Sequence, residues 1–186
     1  MSEPTRRDVA TLLDACAILS LYATRRMAEI LATVPGPVAV CDLVVAEALY
    51  VRRIVDGELE REPVELAPFV ADGRLFVLAT DDEDELQTFV DLAVALDDGE
   101  AMSAALAIHR DCVLVTDDGK AERLLAGRVQ LRPTLDIVKT WADRAEMDRL
   151  ELRGILTAIY ERGYEPPIEH PLKRWWETIM RSTGHS

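Results

Sequence analysis

Residues 96–118 read LDDGEAMSAALAIHRDCVLVTDD, with acids gathered at both ends and almost none between. The interior passes from a small-residue helix, expected over 99–110, into an apolar strand over 112–116 and a turn at 117–119. Folded this way, Asp98, Glu100, Asp117 and Asp118 come close together at the two ends of one helix and one strand. Like charges so placed push up at least one pKa, and the arrangement gains little unless a cation lies among them. The competing reading is that these are ordinary helix-start and turn residues.

The same alternation extends in both directions. A short buried strand is expected over 9–15 (VATLLDA), a helix over 18–34, a stop at Pro35-Gly36-Pro37 and a second strand over 38–41 (VAVC). Asp42 is placed to cap a helix LVVAEALYVRRIV that Asp56-Gly57 ends. Residues 57–65 are charged and read as a loop, VELAPFVADG as a short helix at best, and RLFVLAT (74–80) as a strand. The helix over 81–96 carries DDED in its first turn, where acids favour the dipole and solvation. A helix over 120–126, a last strand at RVQLR and three helices beyond Pro133 complete the pass. Short apolar strands alternating with helices imply an α/β fold around a mostly parallel sheet, with its site at the carboxyl ends of the strands.

The chain has 186 residues, suiting one domain with an appendage, and 49% of them are hydrophobic, enough for a packed core. A formal net charge of −13 argues against a generic electrostatic grip on nucleic acid. Cations bound at active-site carboxylates would lift that objection. No apolar run reaches the roughly 20 residues of a membrane helix, and the start lacks a signal-peptide pattern. Cys16, Cys41 and Cys112, odd in number and without CxxC spacing, imply free thiols and a cytoplasmic setting.

Four places in this pattern put acids at comparable element ends: Asp14, Glu47, Glu100 and the pair Asp117-Asp118. Each has an ordinary explanation. Asp14 is an N-cap candidate, Glu47 a solvent-facing helix residue, Glu100 a dipole-favoured first-turn acid and Asp117-Asp118-Gly119 a turn. Together they match the needs of hard divalent cations, which take oxygen ligands, activate water and neutralise a phosphate under attack.

LLDACAIL with Asp14, VAVCDLVVAEAL with Glu47, DGEAMSAALA with Glu100, and VLVTDD with Thr116, Asp117 and Asp118 resemble, in order and spacing, the PIN (PilT N-terminus) domain nucleases, and among them the toxin-like bacterial members. The resemblance covers about residues 9–140. It implies a three-layer α/β/α sandwich with a parallel sheet of four or five strands. Residues 1–140 would form the nuclease domain and 141–186 a helical extension packed on it. It further implies Mg²⁺- or Mn²⁺-dependent hydrolysis of RNA, with Asp14, Glu47, Glu100, Asp117 and Asp118 as metal ligands. Asp118 is the better match for the fourth position and Asp117 an additional ligand. Thr116 would orient a carboxylate or water. Glu100 stands where many members carry Asp. An antitoxin partner and a homodimer are further implications.

Two other functions fit less well. A catalytically inactive PIN-like RNA- or protein-binding module predicts loss of acids, and none is lost. A phospho-receiver built on Asp14, Thr116 and Lys139 lacks an acidic pair at its first strand. Trp175 and Trp176 are expected to pack a terminal helix onto the domain rather than stack on bases. The basic pairs Arg25-Arg26, Arg52-Arg53 and Lys173-Arg174 read as solvated helix faces, and His109 as structural. His170 and His185 have no evident partner.

Overall fold

The computed structural model describes residues 10–47, 49–55 and 58–181. In chain order it runs β1 (Thr11–Leu13), α1 (Ala15–Ala23), α2 (Met27–Leu31), β2 (Val38–Cys41), α3 (Asp42–Ala46), β3 (Tyr50–Val55) and β4 (Glu58–Pro63). Then come α4 (Ala67–Ala71), β5 (Phe76–Leu78), α5 (Glu83–Ala93), α6 (Asp98–Arg110) and β6 (Val113–Val115). The last part is α7 (Gly119–Leu125), β7 (Gln130–Arg132), α8 (Thr134–Arg144), α9 (Arg149–Glu161) and α10 (Lys173–Met180).

Five strands form one parallel sheet in the order β5-β2-β1-β6-β7. Counted along the chain within that sheet, the order is third, second, first, fourth, fifth. Connections therefore leave β1 toward one edge and later resume on its other side, making the gap between β1 and β6 the topological switch point where ligands bind in such sheets. Flavodoxin-like sheets of the receiver type have order 2-1-3-4-5, so the strand order excludes the receiver reading. Its cation is also engaged elsewhere: Lys139 pairs with Asp143 at 2.5 Å and lies over the Trp175 ring.

Strands buried on both faces, such as β1 and β2, need helices on both sides. α6 contacts α3 and α5 on one side, and α1 contacts α2, α8 and α9 on the other, giving the expected three layers. Ala101, Ala104, Ala105 and Ala107 bring α6 close against the sheet with no exposed surface. Its first turn is tied to β2, where the Cys41 thiol donates to the Gly99 carbonyl and accepts from Ser103. All three cysteines are free. α9 lies against α1, and α10 against α9, with Trp176 2% exposed. Trp176 meets Tyr164 edge to face, so packing is its role, as expected.

Several expectations are corrected. The helix over 18–34 is two helices. The Thr24 hydroxyl donates to Leu21 O and accepts from Arg26 N, and Arg25 adopts a left-handed φ of 57°. The helix after Asp42 stops at Ala46, with Glu47 already extended, and Tyr50–Val55 is a strand. YVRRIV is rich in β-branched and aromatic residues, whose preference for an extended chain overrides the helical spacing. The charged stretch expected as a loop is its antiparallel partner β4, with Arg52 opposite Arg61 and Tyr50 opposite Pro63. Asp56-Gly57, expected to end that helix, and His185 lie outside the described residues. The basic pairs are not plain solvated faces. Arg25 pairs with Glu62, Arg26 with Glu29 and Glu151, and Lys173 with Glu165. His109 is exposed and shares a hydrogen bond with Thr88.

Candidate metal centre at the β1–β6 rim

The strand ends deliver their acids to one rim. Asp14 follows β1 directly and is 2% exposed. It is the N-cap of α1, its Oδ1 accepting from Ala17 N at 2.7 Å. Its Oδ2 is buried without a hydrogen-bond partner. Asp117 follows β6 and repeats this division of labour: Oδ1 accepts from Thr134 N at 2.9 Å, holding the start of α8, while Oδ2 is buried with no partner at hydrogen-bond geometry, the Thr134 and Tyr164 hydroxyls lying beside the carboxylate. Asp118 caps α7, accepting from Lys120 N and Ala121 N at 2.8 and 2.7 Å. The Thr116 side chain accepts from Asp118 N at 3.1 Å and acts on the Asp14 carboxyl. The ordinary reading of Asp14 as a cap is thus correct, and Asp118, read as a turn residue, is a cap as well. A cap needs one oxygen, and for Asp14 and Asp117 the second is left over.

The electrostatics follow from this crowding. Burial raises Asp14 to about 7, the Thr116 hydroxyl and Ala17 N–H oppose it, and Asp117 and Glu100 push it further up. Glu100, half-buried in the first turn of α6, is raised to about 7 by desolvation and then by Asp97 and Asp118, with Lys120 opposing. Desolvation also raises Asp117. Glu47 is exposed beyond the end of α3 and sits against Gly99, where a Cβ would collide with its carboxylate. It is raised by burial of its carboxyl and by Asp97 and Asp98.

The candidate residues therefore form a chain along the rim: Glu47 beside Asp97 and Asp98, Glu100 beside Asp97 and Asp118, Asp14 beside Glu100 and Asp117. Among the described residues, no three His, Cys, Asp or Glu side chains are gathered tightly enough to hold a metal ion by themselves. Mg²⁺ typically takes only one or two carboxylates and keeps several waters. Two buried, orphaned carboxylate oxygens with further acids alongside are a hard-oxygen donor set of that kind.

Sequence reasoning missed what the C-terminal segment brings here. Arg162, at the end of α9, reaches Ser20 on α1, and its charge acts on Asp117, Cys16 and Asp14. Its guanidinium carbon stands 5.3 Å from the centre of the Tyr164 ring. Tyr164 and His170 both lie beside Asp117. The Arg162–Ser20 contact joins residues 142 positions apart, and no local pattern announces it or the contacts with Asp117. Asp97, the N-cap of α6, was legible as a helix start but not as a neighbour of both Glu47 and Glu100.

Residues 11–125 match the PIN domain family model. No curated protein matches the chain. Among the described residues no helix is long and apolar enough to cross a membrane.

Proposed function

This chain belongs to the PIN-domain family, generally metal-dependent nucleases, and we propose that it is a Mg²⁺- or Mn²⁺-dependent endoribonuclease. The observation that carries the reading is the pair of buried, partnerless carboxylate oxygens of Asp14 and Asp117 at the switch point of the sheet. Asp14, Asp117, Glu100 and Asp118 would hold the cation, directly or through water, with Glu47 at the outer end of the row. A divalent ion bound there supplies an activated water and neutralises charge on the phosphodiester. The chain's own contribution is rigidity. Asp14 and Asp117 are fixed by their caps, and Thr116 steadies the Asp14 carboxyl. The exposed Lys120 beside Glu100 is placed to meet an incoming phosphate.

Further proposals rest on the resemblance: a toxin of a toxin–antitoxin pair, an antitoxin that covers the acidic rim, a homodimer and a cytoplasmic setting. An end-labelled single-stranded RNA incubated with the purified protein tests the activity. Internal cuts with Mg²⁺ or Mn²⁺, abolished by EDTA, are expected. Metal-independent cutting, or none of any RNA, sinks the reading and leaves the inactive binding module.

Glu47 has its own test. Gly99→Ala places a methyl group against the Glu47 carboxylate and the fully buried Val44. Ala is the better helix former by about 1 kcal/mol, so stability changes by about that or less. Cleavage is expected to fall roughly tenfold, an outer-partner effect, because Glu47 must swing away. Unchanged cleavage in a folded Gly99→Ala protein would remove Glu47 from the site.

A further inference from the structure

A cavity of about 540 Å³ opens beside the acidic rim, with Asp117 in its wall. Its size falls in the range of small-molecule sites. Tyr164 and His170, both from the segment after α9, line it. The Tyr164 ring is fixed by the Arg162 guanidinium and by the edge contact with Trp176. His170 Nδ1 accepts from Leu172 N at 3.0 Å, so in the neutral ring the proton resides on Nε2. That Nε2 has no partner in the protein. A pre-set aromatic ring thus borders the cavity, and an orphaned donor lies buried in its wall.

The charges in the wall indicate what enters. Asp117, Glu122 and Glu169 disfavour a phosphate inside, Arg132 in the wall is held by Asp136, and the exposed Arg123 stands among the lining residues to meet a phosphate outside. We infer that this cavity is a nucleobase subsite. It would receive one unstacked base of a single-stranded RNA, next to the phosphate held at the acidic rim. Single-stranded recognition works in this way, with splayed bases stacked on aromatic rings and hydrogen-bonded at their edges. Tyr164 supplies the ring, and His170 Nε2–H, buried in the wall, becomes the donor to a base carbonyl or ring nitrogen once its side chain turns toward the seated base. The C-terminal segment thereby becomes part of the substrate site. The inference rests on the nuclease reading for the neighbouring phosphate alone.

Binding, separated from cleavage, tests it. Full-length protein is titrated with a fluorescein-labelled single-stranded oligoribonucleotide of mixed sequence, with Ca²⁺, another hard cation for oxygen donors, in place of Mg²⁺. Tyr164→Leu is expected to weaken binding about tenfold, and Tyr164→Phe, which keeps the ring, to recover most of that loss. His170→Ala should weaken binding severalfold, and a duplex of the same sequence should compete poorly. Melting curves establish that each variant is folded. Equal binding by folded Tyr164→Leu, no binding of the oligonucleotide at all, or equal binding of the duplex overturns the subsite. Tyr164-dependent binding by a wild-type protein that cuts nothing upholds the subsite while the nuclease reading fails. Cleavage with an unaltered KM in Tyr164→Leu does the reverse.

Discussion

Asp14→Asn is expected to lower RNA cleavage by at least about a hundredfold, more than the loss typical of outer-shell partners of a metal ligand. The same substitution is expected to make the metal-free protein more stable above neutral pH. Asn caps a helix as well as Asp does, so the bond to Ala17 N survives and only the buried charge is lost. In the folded wild type the Asp14 carboxyl is raised to about 7, chiefly by burial. The folded chain therefore keeps a proton that the unfolded chain releases in the ordinary carboxylate range. Stability from this source is fully present below about pH 4 and is lost as pH rises through about 7. At pH 8 the difference is on the order of a few kcal/mol. Melting of the metal-free wild type should fall between pH 5 and pH 8, and that of Asp14→Asn should fall less. A variant less stable than wild type at pH 8 would show that the Asp14 charge is welcome in the metal-free fold.

Arg110→Met is expected to destabilise the protein by about 3–5 kcal/mol, the range for removing one partner of a buried ion pair. Arg110 Nε and Nη2 meet the two oxygens of Glu85 at 2.7 and 2.8 Å, with both side chains under 10% exposed. Thr80 donates to the same carboxylate and Arg110 also reaches the Ala79 carbonyl, so the pair joins the end of β5, α5 and the end of α6. Removing the guanidinium leaves a buried carboxylate without its cation. Replacing both partners, Glu85→Leu with Arg110→Met, is expected to cost far less, because neither charge is then buried. Urea midpoints of the two variants check this, and a single substitution costing under about 1 kcal/mol would contradict it.

What the sequence disclosed divides by range. Strand ends carrying Asp14, Asp117 and Asp118 were legible because each acid follows a short apolar run directly. α6 was legible from its small-residue face between Asp98 and Asp111. The β3–β4 pair was not. YVRRIV suits either period, and the alternation in ELEREP hid beneath its charge. The DDED run was read as solvation, and Asp82 does cap α5 at the surface, yet Glu85 three residues on is buried against Arg110. Nothing near either residue announces a pair 25 positions apart. The same holds for Arg162, Tyr164 and His170. The short segment that bears them meets Asp117 only once α9 has packed on α1, so its part in the site belongs to tertiary structure alone.

The central claim is that the carboxylates around Asp14 and Asp117 form a divalent-cation centre. A calorimetric titration of the metal-free wild type with Mn²⁺ at neutral pH, beside Asp14→Asn, tests it most directly. Saturable binding by the wild type, lost or greatly weakened in the variant, is the predicted result. A wild type that takes up no Mn²⁺, or a variant that binds it equally well, would contradict the account.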